Sequence, residues 1–300
     1  MVNNLPQEQA FQLHWYPGHM AKWDREFNQH LQSVDVVIEV LDARMPLMSR
    51  HPDIRQRVVD RQKPLITVLN KRDLADPLRL EQWMTYFKDA GEIVITVDAQ
   101  RDTQTQKAII HTLLKAGEIA QARWVAKGLK PRPIRTMMMG LPNVGKSSLI
   151  NGLIGRKKVQ TGHKAGVTRQ TQWVRVHPQV ELLDSPGILP PKLDRQADAH
   201  WLALVSSIGE KTFDDEEIAR FCLQYFEAHY PHMLVAKYGA PPVEEAELPW
   251  SLERIALLSN LLQKGGVADI QRAAHRLLVD VRHGQLGGLC FEVPPPHENE

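Results

Sequence analysis

Two cysteines, Cys222 and Cys290, are all that the 300 residues contain. That scarcity excludes a disulfide scaffold, and both thiols are expected to be inert in a reducing compartment. No apolar run approaches the roughly 20 residues a membrane helix needs. The opening MVNNLPQEQAF lacks a charged start followed by an apolar stretch, so a secretory signal is not expected either. Acidic residues are missing from one long stretch: Ile119 to Val180 holds twelve Lys or Arg and no Asp or Glu. The net charge of +2 therefore conceals a remainder of −10. Such asymmetry points to contact with a polyanion, either a nucleotide or a nucleic acid. Apolar residues at 43% and charged residues at 24% are ordinary for a globular chain, and the length suits two domains.

Strand-like runs crowded with β-branched residues stand at VDVVIEVLDAR (34–44), KPLITVLN (63–70) and EIVITVDA (92–99). Amphipathic stretches such as DPLRLEQWMTYFKDA separate them, and that alternation predicts a doubly wound α/β domain with a parallel sheet. DTQTQKAIIHTLLKAGEIAQARW reads as a further helix, followed by the basic, Gly- and Pro-rich VAKGLKPRPIR. IRTMMM then reads as a strand, GKSSLINGLI as a helix, and TQWVRV and QVELLD as strands. Beyond Pro190 only helical periodicity remains, with Asp214 and Glu217 as a capping pair. The expected organisation is a nucleotide domain over 1–190 with a linker at about 122–133, a net acidic helical domain over 191–290, and a disordered tail over 291–300.

GLPNVGKS, Gly140 to Ser147, fits Gly-x4-Gly-Lys-Ser between a strand and a helix. Its glycines let backbone N–H groups turn toward phosphate oxygens, and the following helix N-terminus adds positive potential. Asn143, Val144, Gly145, Lys146, Ser147 and Ser148 are therefore nucleotide-binding candidates. Lys146 is expected on the β- and γ-phosphates and Ser147 on magnesium. In LLDSPG, Asp184 is a magnesium candidate and the Gly187 N–H a γ-phosphate donor. Thr168, in the intervening GHKAGVTR, is the second magnesium candidate. An isolated Asp-x-Pro-Gly is an ordinary turn. After a phosphate loop, in this order, it gains a function.

Asn70-Lys71-Arg72-Asp73 closes an apolar strand, where a guanine reader belongs. A carboxylate at Asp73 can accept from guanine N1–H and the exocyclic amine together. Adenine would leave it buried and unpaired, a mismatch that discriminates by about 10⁴ or more. Lys71 would lie along base and ribose, and Ala99, beside Asp98 after the next strand, would give its N–H to guanine O6. Here the base reader precedes the phosphate loop, the reverse of the usual order. The sheet can still form if the usual ends are joined and the chain is opened elsewhere, so the arrangement reads as a circular permutation.

WYPGHMAK (15–22), LDARMP (41–46), NKRD, GLPNVGKSS, GVT and DSPGI, in that order, resemble the circularly permuted GTPases, most closely the ribosome biogenesis GTPase A (YlqF) family. The resemblance implies a permuted P-loop GTPase domain followed by an all-helical domain. It further implies GTP and GDP as ligands with magnesium, and a role in assembly of the large ribosomal subunit. Asp98-Ala99 departs from the Ser-Ala usual in that family. Ile188 stands where many GTPases carry a water-positioning Gln, and the family implies His19 for that task, presented on a tight Pro17–Gly18 turn. Asn143 resembles GTPases that take potassium beside the phosphates.

The expected partner is the large subunit or its precursor, with rRNA on the basic block 119–180, including Arg156, Lys157 and Lys158. Arg272, His275 and Arg276 share a helix face and offer a further RNA contact. No metal is expected at His229 and His232, and the stripe Leu252, Ile255, Leu258, Leu262 reads as core rather than membrane surface. A monomer in the bacterial cytoplasm, with an organelle as the alternative, is expected. Two rival functions stand beside the GTPase: a GTP-gated binding module with little turnover, favoured by Ile188, and an ATP-dependent P-loop kinase, disfavoured by Asp73.

Overall fold

The computed structural model describes residues 11–12, 18–99, 103–155, 172–190, 192–193, 196–208, 212–240 and 249–296. A two-residue strand, β1 (Phe11–Gln12), precedes α1 (Gly18–Ser33). Then β2 (Val36–Asp42), α2 (Pro52–Asp60), β3 (Leu65–Asn70), α3 (Pro77–Asp89), β4 (Ile93–Val97) and α4 (Thr103–Ala126) alternate. Proline opens α2 and α3, where its missing N–H leaves no bond unmade. Next come β5 (Ile134–Met139), α5 (Lys146–Ile154), β6 (Gln172–His177) and β7 (Val180–Asp184). The short β8 (Lys192–Leu193) pairs antiparallel with β1.

Six strands form one sheet in the order β4-β3-β2-β5-β7-β6. Strands β2, β3, β4, β5 and β7 are parallel, as expected, but β6 runs antiparallel to β7. The expected parallel sheet is therefore mixed at this edge: only Pro178 and Gln179 lie between β6 and β7, too few for a crossover. Alternation along the strands builds two faces. Val36, Ile38, Val40, Met138 and Leu182 meet Ile109 and Leu113 of α4 and Leu149 and Ile150 of α5. Val37, Met137, Met139 and Leu183 meet Trp23, Phe27 and Leu31 of α1 and Ile54 and Val58 of α2. Strand order reverses between β2 and β5, with successive strands added outward on opposite sides, and the crevice at the carboxyl ends of such strands is where α/β sheets bind ligands.

Helix α4 continues through Ala126, so the expected linker loses its first residues to helix and the connection to β5 is 127–133. Arg132 in that connection lies 4.5 Å from the Trp124 ring centroid and pins the helix end.

The C-terminal region is helical, with α6 (Gln196–Leu204), α7 (Asp215–His229), α8 (Pro231–Tyr238), α9 (Leu252–Leu258) and α10 (Ile270–Arg282). Asp214 caps α7, Ser251 caps α9 and Asp269 caps α10. Leu252 and Ile255 are fully buried. This region shares its core with the sheet: Ile218, Phe226 and Leu277 belong to the same apolar cluster as Leu149 and Ile150. The tail does not begin at 291. Phe291 is buried, stacks on Trp201 at 4.9 Å and donates its N–H to Arg44 O at 2.7 Å. The Glu292 carboxylate accepts the N–H groups of Leu47 and Met48. Burying Phe291 and satisfying two N–H donors holds a segment whose Pro-rich continuation reads as unstructured. Among the described residues no helix is long and apolar enough to cross a membrane.

Candidate functional site

The carboxyl ends of β2, β3, β4, β5 and β7 bring Asp42, Asn70, Asp98, Gly140 and Asp184 to one rim of the sheet. The phosphate loop follows β5. Gly140 has φ +150°, and a Cβ there would stand 2.4 Å from Val40 O, so only glycine lets the loop leave β5 this close to β2. Asn143 adopts φ +58° and Gly145 φ +98°, which turns the chain into α5. Lys146 is buried at the first position of that helix and donates from Nζ to Gly140 O at 3.0 Å and Leu141 O at 2.9 Å. Burial pushes its pKa down to about 8, against the opposing pull of Asp184. Ser147 and Ser148 follow in the first turn, half-buried.

Asp184 is fully buried at the end of β7, and among the described residues neither carboxylate oxygen has a regular hydrogen-bond partner. Burial raises its pKa to about 6, although Lys146 pulls it down. The Gln172 side chain and the Ser185 N–H pull the same way but only weakly, and a buried carboxylate so thinly partnered is costly unless a cation joins it. Gly187 sits where a Cβ would come within 2.5 Å of Pro142 Cα, so the switch backbone lies flush on the phosphate loop. Ile188 is buried among Trp23, Met139 and Leu183, and its N–H donates to Gly140 O at 3.3 Å.

Asn70 joins the two loops that the permutation separates in sequence. Its Nδ2 donates to Val144 O at 2.8 Å, and its Oδ1 accepts the Ala99 N–H at 3.2 Å. A Cβ on Gly145 would stand 2.1 Å from Asn70 Nδ2, so the contact is close-packed. The Ala99 N–H expected for guanine O6 is thus engaged by Asn70. Asp98 beside it is buried, and Asp73 is exposed on the 3-10 turn Arg72–Leu74. Lys71, at φ +61°, donates Nζ to Asp42 Oδ2 at 2.9 Å.

Asp42 and Arg44 are groups to which sequence reasoning assigned no role. Arg44, 2% exposed, grips both Asp42 oxygens, Nε to Oδ1 at 2.9 Å and Nη2 to Oδ2 at 2.8 Å. Despite burial, Arg44 and Lys71 hold Asp42 well below the usual carboxylate range. The LDARMP motif contained the signal, an acid and an arginine two apart at a strand end. Ser206 and Ser207 were also missed: Asn143 Nδ2 donates to Ser206 O at 2.6 Å, and Ser207 Oγ donates to Pro142 O at 2.8 Å. That bond commits one end of the carboxamide expected to serve potassium.

His19 belongs to the first turn of α1, which begins at Gly18, whereas Pro17 of the expected turn lies outside the described residues. Its side chain, together with Thr168, Arg156, Lys157 and Lys158, lies outside the described residues. Trp23, one turn further along α1, lines a small cavity with Gly140, Ser185, Pro186 and Ile188. Arg272 and Arg276 are exposed on α10, and Arg276 Nε donates to Asp280 Oδ2 at 2.9 Å. His275 is held by Asp215 at 3.2 Å.

The family description "50S ribosome-binding GTPase" matches residues 135–236. Ribosome biogenesis GTPase A of Bacillus cereus is 38% identical over 282 residues, 94% of each chain. Mitochondrial ribosome-associated GTPase 1 of Xenopus tropicalis is 31% identical over 93% of this chain and 94% of its own. Among solved structures, GDP-bound YlqF superposes with a TM-score of 0.62 at 30% identity, covering 90% of this chain and 99% of the other. The GNP-bound form from T. maritima gives 0.60 at 29% identity, covering 91% and 98%.

Proposed function

This chain belongs to the ribosome biogenesis GTPase A family, and we propose that it is a GTP-hydrolysing switch that binds the large ribosomal subunit or its precursor in the GTP state. The observation that supports this reading most directly is the pair of bonds from Asn70 to Val144 and Ala99, which tie the segment 70–73 to the loop 140–147. Asp73 would accept from the guanine edge and Lys71 would swing from Asp42 onto the base. Lys146 would exchange two loop carbonyls for β- and γ-phosphate oxygens. The Gly187 N–H would meet the γ-phosphate.

Magnesium suits the buried carboxylate of Asp184, whose oxygens no regular hydrogen bond engages among the described residues. Ser147, Asp184 and Thr168 would hold it, and it would offset charge on the transferred phosphoryl group. With Ile188 buried and apolar, the attacking water must be oriented from elsewhere. His19, one turn before Trp23 and its cavity beside Pro186, is our candidate. Asn143 with a potassium ion is a second aid to charge, tested by comparing rates in potassium and sodium buffers. Equal rates would retire it.

Cosedimentation with large subunits, with and without a non-hydrolysable GTP analogue, tests the switch. Binding that ignores the analogue would defeat it. Ile188 also favours a second reading, a GTP-gated binding module with little turnover. GTP-dependent binding without any stimulation of hydrolysis by subunits would select that module.

A further inference from the structure

One side of the sheet is only partly roofed. Helices α1 and α2 cover Met137, Met139 and Leu183, but among the described residues the same face continues toward the β6 edge without an apolar partner. Register brings Arg135 of β5, Glu181 of β7 and Arg175 of β6 into one cross-strand row on that side. Trp173 stands two residues before Arg175 and so on the same face. Arg175 Nη2 binds Glu181 Oε1 at 2.5 Å, and Arg135 Nε lies 3.9 Å from Glu181 Oε2. The Arg135 guanidinium is 5.3 Å from the Trp173 ring centroid. All three stay open to solvent: Trp173 is 43% exposed, and the side chains of Arg135 and Arg175 are 44% and 58% exposed.

The basic surface continues past Arg135. Its backbone N–H donates to Asp35 Oδ2 at 3.0 Å, and the same carboxylate takes both terminal nitrogens of Arg132 at 2.8 and 2.9 Å. Nearby, Lys63 has its pKa lowered, first by burial and then, against Asp35, by Arg61, Arg123 and Arg132. Among the described residues Asp35 and Glu181 are the carboxylates bonded into this belt, and they are outnumbered.

We propose that this belt binds a single-stranded RNA segment, with phosphates on the guanidinium groups of Arg135 and Arg175 and a base stacked on Trp173. The proposal rests on the ribosomal reading above and gives it a surface. Guanidinium groups offer planar paired donors to phosphate. An exposed indole beside them accepts any base face and distinguishes a nucleic acid from an acidic protein, which needs charge alone. A single strand rather than a duplex is favoured because stacking requires a base free of its own stack.

The test uses the full chain loaded with a GTP analogue and a labelled oligouridylate of about 12 nucleotides, a length within the span such grooves track. Arg135→Ala with Arg175→Ala should weaken binding at least tenfold and lower the slope of log affinity against log salt by about 1.4. Trp173→Ala should cost about tenfold with the slope unchanged, and Trp173→Phe should restore most of it. GDP affinity should stay at the parent value in every variant, which certifies folding. Variants that bind oligouridylate like the parent overturn the proposal, and so does a parent that does not bind. Loss on removing the arginines with no effect of Trp173→Ala overturns it in favour of general polyanion attraction. Large-subunit cosedimentation separates the two levels. A parent that fails to cosediment defeats the ribosomal function, whereas a parent that does, with variants undiminished, defeats this face alone.

Discussion

Asp184 and Lys146 are buried charges that the chain holds at a cost, each pushed by burial toward its neutral form. Asp184, raised from 3.8 to about 6, favours the fold only in its protonated form; that contribution is complete below 3.8 and lost as pH rises through 6. A magnesium ion needs the ionised form, so below pH 6 it must displace a proton. We predict that magnesium-dependent GDP affinity, measured by titration calorimetry, falls about tenfold per unit of pH below 6. It should level off above that point, and Asp184→Asn should abolish both the metal dependence and the slope. At Asp73 the prediction concerns identity: Asp73→Ala should lose most of a GTP-over-ATP preference of about 10⁴ in competition binding. His19→Ala should lower turnover by about tenfold or more with nucleotide affinity held. Unchanged turnover would remove His19 from the chemistry and return attention to the burial of Ile188.

Between elements, Asn70 makes the site a single object: it ties the end of β3 to the loop that opens α5 and to the residue after β4. Asn70→Ala would leave the Val144 carbonyl and the Ala99 N–H buried without partners, at about 1–3 kcal/mol each. Urea unfolding should register that loss, and GDP affinity should fall with it. Stability at the parent value would mean that the loops dock without this side chain. The motif letters of Asn70 were legible in the sequence because guanine and phosphate chemistry demand particular residue types. Its cross-link was not, since nothing local to residue 70 specifies a partner at 144. The strands were legible for a similar reason, as β-branched runs such as Leu65–Asn70 announce burial. The antiparallel β6 was also readable, from a connection too short to cross over. Helix α1 was passed over, its apolar positions Trp23, Phe27 and Leu31 being masked by charged neighbours. The docking of Phe291 and Glu292 was hidden by the prolines that follow them.

Across the molecule, each nucleotide-binding loop is tied to the C-terminal helices by its own bonds. The phosphate loop reaches the end of α6 through Asn143 to Ser206 and Pro142 to Ser207, and α10 caps the same helix end with Arg282 on Leu204 O at 2.8 Å. The base-reading loop is strapped by the chain after α10: Asp76 N–H donates to Leu289 O at 3.2 Å and Leu289 N–H to Leu74 O at 2.9 Å. Because the helices also share their apolar core with the sheet, a free swing of that region would expose buried surface. Nucleotide binding should therefore act by small displacements at the two ties, and the γ-phosphate at the first alone, a coupling of the size that links most switch sites. Hydrogen exchange can read each tie separately. We predict that amides at 204–208 exchange at different rates in the GTP-analogue and GDP forms, because γ-phosphate contacts act on the phosphate loop. Amides at 286–291 should follow occupancy of the base site alone and match in the two forms. Ser207→Ala, which removes one bond of the first tie, should shrink the difference at 204–208 and weaken the nucleotide dependence of large-subunit cosedimentation. Equal exchange at 204–208 in the two forms would break the link between phosphate loop and helices, and the nucleotide signal would then have to leave through the segment containing Thr168.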